Sequence, residues 1–210
     1  MHNWSIRISA LWRHPIEGTE NSISRAYGSY WTSTGRPSQA GLEKDAIAIL
    51  EWISKRHLNR EVNVILYGHS IGAGVACFAA ANNQNSNLKI RGVLLETPFT
   101  SVSDMLRTLY PQKWLPYHYM SPFLRSSWNI RDYLSQISNK GEKPRIMIVQ
   151  AENDEVVDKR MAPEIQNMAN QKGFTVDYFT VPGALHFECM GYRGFPGWVS
   201  TFVARCISMS

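Results

Sequence analysis

The pattern of apolar and polar residues along the chain predicts alternating strands and helices. Short apolar runs rich in β-branched residues predict buried strands, and these lie at residues 62–67, 90–96, 145–150 and 176–181. Apolar residues at helical spacing predict helices between them, at residues 37–57, 73–81, 159–172 and 198–206. Such alternation indicates an α/β fold with a mostly parallel sheet flanked by helices, in which functional groups lie at the carboxyl ends of the strands.

Two regions of the chain are less regular. Trp4, Ile6, Ile8 and Ala10 alternate with polar residues and predict a strand, whereas residues 13–35 have a loop-like composition. Residues 97–143 contain several prolines and many aromatic residues, which indicates either a small cap or a long connection. At 210 residues, a single domain spanning residues 1–210 is expected.

The sequence Gly-His-Ser-Ile-Gly at residues 68–72 carries the candidate nucleophile, Ser70. It follows a predicted buried strand and precedes a helix of small residues, which is the context in which G-x-S-x-G forms a nucleophile elbow. The sharp turn leaves little room beside the serine, and glycines at both flanks relieve the crowding. In this arrangement the backbone N–H of the residue after the serine, here Ile71, serves as one oxyanion donor.

An acid-rich loop follows the strand at residues 145–150. A serine needs a base to take its proton and an acid to orient that base, in the chain order serine, acid, histidine. Asp154 is favoured as the acid, and the neighbouring carboxylates that compete with it are Glu152, Glu155 and Asp158.

His186 is favoured as the base, because it comes after the serine and the acid in chain order and follows the strand at residues 176–181. His69 lies in the elbow itself, where we expect its ring to point away from the nucleophile. His57 lies at a predicted helix end. The remaining histidines fall in loops that the pattern does not place, namely His2, His14 and His118.

Composition excludes several other classes of function. The net charge is only +5 and no basic stripe with interleaved aromatic residues occurs, which argues against nucleic-acid binding. Cys77, Cys189 and Cys206 are odd in number and lack metal-ligand spacing, so neither a disulfide framework nor a metal site is indicated. A serine mechanism needs no cofactor, and none is expected. The sequence shows neither a transmembrane run nor a signal-peptide core, which favours a cytoplasmic location.

Several segments together resemble the bud-emergence-type serine hydrolases of the α/β-hydrolase superfamily. The resemblance covers roughly residues 24–205 and rests on their order along the chain. The segments are SRAYG at residues 24–28, STGRPS at 33–38, the elbow GHSIGAG at 68–74, ETPFTS at 96–101, NDEVV at 153–157 and the loop at 183–186. The resemblance implies an α/β-hydrolase fold and a triad of Ser70, Asp154 and His186. It also implies hydrolysis of an ester, thioester or amide, and it makes association with a membrane possible.

The chain departs from the family pattern at its beginning. Residues 1–23 are divergent and contain no His-Gly loop, which in the family supplies the second oxyanion donor. Residues 17–24 are polar where an apolar strand is expected, and residues 29–32 look like an insertion. Phe187 also replaces the asparagine that usually follows the histidine. We therefore expect an N-terminally truncated version of the fold, with its first strands missing or degenerate.

The sequence predicts a serine hydrolase that acts on a small-molecule acyl substrate. The alternative is a catalytically weak or inactive hydrolase-like protein with a binding or scaffold role, because one oxyanion donor is not located. Aromatic residues could line an acyl pocket or simply pack in the core; they are Tyr110, Trp114, Tyr117, Tyr119, Phe123 and Trp128. No feature of the sequence specifies an oligomeric state.

Overall fold

Four apolar runs form the parallel part of the sheet, as their patterns predict. They are β3 (Val62–His69), β4 (Leu88–Glu96), β5 (Arg145–Ala151) and β6 (Val176–Val181). The structure is a computed structural model, and it describes residues 8–13, 20–25, 38–109, 127–141 and 143–208. Within these ranges one six-stranded sheet has the order β2-β1-β3-β4-β5-β6. The carboxyl ends of β3 to β6 lie at one edge, as the alternation of strands and helices predicts.

Two further strands extend the sheet beyond β3. β1 (Ile8–Arg13) pairs antiparallel with both β3 and β2 (Glu20–Arg25). The loop predicted over residues 13–35 is therefore wrong at residues 20–25. The polar sequence gives no strand signal, yet the backbone pairs with β1 along all six residues. The strand predicted near residues 4–10 is found from Ile8 onward, and residues 4–7 lie outside the described ranges.

Six α-helices occur in the described ranges. Four of them lie in the connections between the parallel strands β3 to β6, whereas the first precedes β3 and the last follows β6. Along the chain they are α1 (Gln39–Arg56), α2 (Ile71–Asn82), α3 (Val102–Leu109), α4 (Ile130–Ser138), α5 (Met161–Gln171) and α6 (Phe195–Ile207). The predicted start of α1 is confirmed, because the Ser38 side chain accepts a hydrogen bond from the Gly41 N–H at 3.1 Å.

The core fills both faces of the sheet. On one face, α1, α2, α4 and α5 cover Val64, Leu66 and Leu95; on the other, α6 and residues 184–195 cover Ile65 and Leu94. This split follows from the strand period of two, which sends successive side chains to opposite faces. Both faces are therefore dry, as expected for a parallel sheet.

Part of the region at residues 97–143 is regular and belongs to the core. Trp128 is fully buried against α2, where its ring meets Phe78 edge-on at 6.5 Å. Arg131 joins α3 to α5 through Asp104 at 2.6 Å and Glu164 at 2.7 Å. Trp128 is thus a packing residue, and the other aromatic candidates for an acyl pocket lie outside the described ranges. The choice between a cap and a long connection stays a prediction.

Candidate active site

Ser70 is the single residue between the end of β3 and the start of α2, in the turn that the sequence predicts. Its backbone has φ 54° and ψ −119°, a conformation that L-residues rarely adopt outside strained functional turns. Its N–H donates to the Glu96 carbonyl at 2.9 Å, and its own carbonyl accepts from the Ala73 N–H at 2.9 Å. The turn is therefore fixed at both ends, and the serine is almost fully buried.

Glycine is required at position 68 by close approach of the backbone. A Cβ atom there would lie 2.0 Å from the carbonyl oxygen of Gly72, far inside contact distance. Ile71 is the first residue of α2, so its N–H is among the helix N-terminal donors that have no intrahelical partner. That position at the strand edge suits the donor role that the sequence predicts.

Asp154 and His186 meet at the carboxyl edge of the sheet, in the loops after β5 and β6. The imidazole Nδ1 lies 2.9 Å from Asp154 Oδ2 and 3.0 Å from Oδ1. The carboxylate is held by backbone donors as well, because Oδ1 accepts from the N–H groups of Val156 and Val157 at 2.9 and 2.8 Å. Both side chains are buried, at 0% exposure for His186 and 3% for Asp154.

The neighbouring carboxylates have other partners. Glu152 accepts from the Gly183 N–H at 2.7 Å, and Glu155 accepts from the His186 N–H at 2.9 Å. Asp158 pairs with Arg160 at 2.7 Å. Of the four acids in this loop, Asp154 is therefore the one that contacts the imidazole. Glu152 and Glu155 instead fix the backbone of residues 183–186, the segment that we call the histidine loop.

A comparison with protein families shows the family of this chain. The model of the prolyl oligopeptidase family matches residues 19–195, most of the chain. The chain belongs to the prolyl oligopeptidase family.

Curated relatives of this family member are bud-emergence-type α/β hydrolases, as the sequence resemblance implies. Protein bem46 of Schizosaccharomyces pombe is 33% identical over 132 residues, which are 63% of this chain and 41% of the relative. A lysophosphatidylserine lipase of Gallus gallus is 26% identical over 175 residues, covering 80% of this chain and 44% of the relative. The chain thus spans about half the length, or less, of the curated relatives it matches.

Solved structures share the fold of this family member. An esterase of Pyrococcus furiosus superposes with a TM-score of 0.63 at 17% identity, covering 90% of this chain and 72% of that chain. A sugar hydrolase from Lactococcus lactis has a TM-score of 0.63 at 19% identity, covering 91% and 78%. Likeness at such identities shows the α/β-hydrolase fold alone.

His69 does not point away from the site, contrary to the expectation from sequence. Its ring centroid lies 4.9 Å from that of His186, and its Nε2 is 3.0 Å from the His186 carbonyl oxygen. A carbonyl only accepts, so Nε2 carries the proton and donates. Burial lowers the pKa of His69, an effect that its bond to the carbonyl only partly opposes. The neutral ring of His69 therefore supports the histidine loop through its hydrogen bond to the His186 carbonyl.

Two residues that the sequence pattern did not single out also lie at this edge. Glu96 ends β4 and is 1% exposed, and Thr97 follows it with φ 44°. The Thr97 hydroxyl and the His186 Nε2 atom are both buried without a hydrogen-bond partner. Unpaired buried polar atoms and strained backbone are typical of functional sites. Two sequence signals were available: Glu96 and Thr97 lie at the end of a predicted strand, and they begin the segment ETPFTS, which carries part of the family resemblance.

Other kinds of chemistry find little support among the described residues. No group of histidine, cysteine, aspartate and glutamate side chains in the described ranges has the arrangement of a metal site. Burial raises the pKa of the Cys77, Cys189 and Cys206 thiols to about 12, which leaves them protonated and inert. In the part of the chain that the structure describes, no helix is both long and apolar enough to cross a bilayer.

Proposed function

We propose that this chain is a serine hydrolase that cleaves an ester, thioester or amide through Ser70, His186 and Asp154. The observation that carries the proposal is the state of His186. Its Nδ1 is bound to a buried carboxylate while its Nε2 has no partner, at the same sheet edge as a serine held in a strained turn. A base oriented on one side and open on the other is what an activated serine requires.

The proton transfers follow from the hydrogen bonds at the imidazole. Asp154 accepts from Nδ1–H, which leaves the lone pair on Nε2 to take the proton from the Ser70 hydroxyl. The serine oxygen then attacks the carbonyl carbon, and the N–H of Ile71 stabilises the negative oxygen that forms. The imidazolium returns its proton to the leaving group, and water releases the acyl group from Ser70 by the reverse sequence of transfers.

An apolar acyl or alkyl group suits the surroundings of His186. Large apolar side chains on both sides of it are unusually exposed, at 43% for Leu185, 53% for Phe187 and 48% for Met190. Contact with an apolar chain would remove this surface from water, which is favourable at about 25 cal/mol per Å². We therefore favour a carboxylic ester with an apolar chain, a substrate class that the lipase among the relatives also supports.

Hydrolysis of p-nitrophenyl butyrate by the purified protein tests the proposal. We expect turnover by the wild type and a loss of at least roughly 10⁴-fold in kcat for Ser70→Ala and for His186→Ala. Ser135→Ala is the matched control, because that hydroxyl bonds only the Arg131 carbonyl one helical turn away in α4. Equal rates in Ser70→Ala and the wild type would contradict the proposal.

A non-catalytic binding protein is the second candidate. It is favoured by the absence of a hydrogen bond from Ser70 to His186 Nε2 and by a single located oxyanion donor, Ile71, among the described residues. Catalytic hydrogen bonds are often long before substrate binds, so this geometry does not exclude catalysis. A natively folded wild type with no measurable turnover would favour the binding role.

A further inference from the structure

The backbone of His186 is held at both of its polar groups by side chains from other segments. The Glu155 carboxylate accepts from its N–H at 2.9 Å, and Nε2–H of His69 donates to its carbonyl oxygen at 3.0 Å. Asp154 separately bonds Nδ1 of the imidazole at 2.9 Å. Because the peptide groups on both sides of the residue and the ring itself are bonded, the imidazole has little freedom to move.

His69 connects the histidine loop directly to the nucleophile elbow. It is the last residue of β3 and immediately precedes Ser70, whose own N–H is bonded to the Glu96 carbonyl at 2.9 Å. Movement of the His186 carbonyl would therefore break a bond to the residue beside the serine. A single hydrogen bond thus couples the position of the base to that of the nucleophile, between residues that are 117 apart in sequence.

Three rings pack together at this junction. The His69 ring centroid lies 4.9 Å from that of His186 and 5.2 Å from that of Phe187, and Phe187 meets the His186 ring edge-on at 4.8 Å. These separations are typical of favourable aromatic pairs. Phe187 stands where the family resemblance implies asparagine, so this ring contact is a feature of the present chain. The packing restricts the His69 ring that donates to the loop.

The first two residues of the histidine loop bond the acid-rich loop independently of His69. The Glu152 carboxylate accepts from the Gly183 N–H at 2.7 Å, and the Ala184 carbonyl accepts from the Asn153 N–H at 3.0 Å. Loss of the His69 bond should therefore leave the loop folded. It should release mainly the end of the loop that carries the base.

We propose that His69 and Glu155 are positioning residues for His186, an inference that rests on the proposed serine mechanism. Together they fix the peptide groups on both sides of the base, so that its Nε2 stays aligned with the Ser70 hydroxyl during proton transfer. Both act through His186 rather than on the substrate. Since a misplacement of about 1 Å can cost roughly 100-fold in rate, their loss should lower kcat and leave KM nearly unchanged.

Two amide substitutions at His69 test its hydrogen bond while keeping the position polar. The glutamine amide nitrogen is as many bonds from the backbone as the histidine Nε2, whereas the asparagine amide is one bond shorter, and both variants lose the ring. With p-nitrophenyl butyrate we expect His69→Gln to keep kcat within about fivefold of the wild type and His69→Asn to lose about 10- to 100-fold, with KM within about twofold in both. Equal kcat in the two variants would overturn the role of His69.

Asn82→Ala is the control that separates alignment from stability. Its side-chain N–H donates to the Phe78 carbonyl at 2.9 Å, a bond of the same kind at the far end of α2. We expect kcat per active site, counted by titration with a fluorophosphonate, to stay at the wild-type value even where the urea midpoint falls. If His69→Asn behaves in the same way and loses only stability, the proposal is wrong for His69.

Glu155 provides a second test, which decides if His69→Asn fails to give the native circular dichroism spectrum. Glu155→Gln keeps an acceptor oxygen for the His186 N–H, whereas Glu155→Ala removes it. We expect Glu155→Ala to lose about 10-fold in kcat at unchanged KM and Glu155→Gln to retain most of the activity. Equal kcat in this pair would overturn the role of Glu155.

Failure of this inference is distinguishable from failure of the mechanism. An active wild type whose kcat does not differ within either pair of variants refutes the positioning roles alone. A folded wild type that neither hydrolyses the ester nor reacts with a fluorophosphonate refutes the serine mechanism itself.

Discussion

Asn87 and Ser70, which lie at opposite edges of the parallel sheet, are held in different ways. At the amino edge, before β3 and β4, Asn87 makes three bonds of ordinary length, to Ser54 Oγ at 2.6 Å and to the carbonyls of Ser54 and His57 at 3.1 Å. At the carboxyl edge, after the same strands, Ser70 and Thr97 have strained backbones and two buried polar atoms lack partners. The first arrangement stabilises the fold, and the second is the one to which we assign the proposed chemistry.

Buried charge follows the same division. Glu96 and Asp154 lie within the protein at the carboxyl edge, where desolvation penalises the ionised form. The carboxylate of Glu61 at the amino edge is half exposed and pairs with Arg91 and Lys89 on the surface. Because burial of charge costs stability, the two buried carboxyl groups near His186 support the proposal that this edge holds the active site. Substitutions at the two edges should therefore affect different measurements.

The largest effect is expected at Asp154. Asp154→Asn keeps an oxygen for the N–H groups of Val156 and Val157, so we expect the fold to be retained while kcat falls about 10⁴-fold through the wrong imidazole tautomer. Ester hydrolysis and urea unfolding of the same preparation check both parts. Asp158→Asn is the control, with kcat within about twofold of the wild type, since Asp158 contacts Arg160 and not the imidazole. A drop of equal size in both variants would contradict the assignment.

The next effect is expected at the elbow. Gly68→Ala places a methyl group 2.0 Å from a backbone oxygen, and we expect the free energy of unfolding to fall by roughly 3 kcal/mol or more, with loss of activity. Gly197→Ala is the matched change, because nothing lies within 4 Å of its added Cβ in α6. It should be neutral or stabilise by up to about 1 kcal/mol. Equal unfolding midpoints in urea for the two variants would break the comparison.

Asn87→Ala tests the amino edge. Loss of its three hydrogen bonds should lower the free energy of unfolding by about 1–3 kcal/mol, while kcat of the folded protein stays unchanged. Urea denaturation and ester turnover at a temperature well below the transition give the two values. A selective loss of kcat would mean that the edges are not separate in function.

The smallest effect concerns the cost of burying Glu96. Since burial raises its pKa above the ordinary 4.5, the stability that its protonated form contributes is present below that value and is lost as pH rises through the raised pKa. Glu96→Gln carries no such penalty, so it should unfold at a higher urea concentration than the wild type at pH 8. The gain, about 0.5–2 kcal/mol, should shrink toward pH 4. A difference in stability between Glu96→Gln and the wild type that grows toward pH 4 would contradict a raised pKa of Glu96.

The sequence predicts those parts of the site that depend on local pattern. An apolar run followed by Gly-His-Ser-Ile-Gly places Ser70, and the order of strands places the loops of Asp154 and His186 at one edge. The choice of Asp154 over Glu152 or Glu155 depends on the direction in which the loop after β5 points each carboxylate. In the structure the other two bond the backbone of the histidine loop instead.

Other features escape prediction because they depend on contacts between distant segments. β2 is polar and pairs with β1 through its backbone, so its sequence lacks the alternation of apolar and polar residues that predicts a strand. His69 contacts His186 across more than a hundred residues, and the hydrogen bond from Tyr67 to Glu96 joins two strands. Tertiary contacts, rather than local propensity, determine these roles.

Covalent labelling tests the central claim most directly, because it reports the nucleophile itself. The folded wild type is treated with a fluorophosphonate near neutral pH, and the adduct is located by peptide mass spectrometry, with Ser70→Ala treated in parallel. We predict a single phosphonylated peptide with the adduct on Ser70, and no adduct in Ser70→Ala. An unlabelled wild type, or an adduct that persists when Ser70 is replaced, would contradict the account.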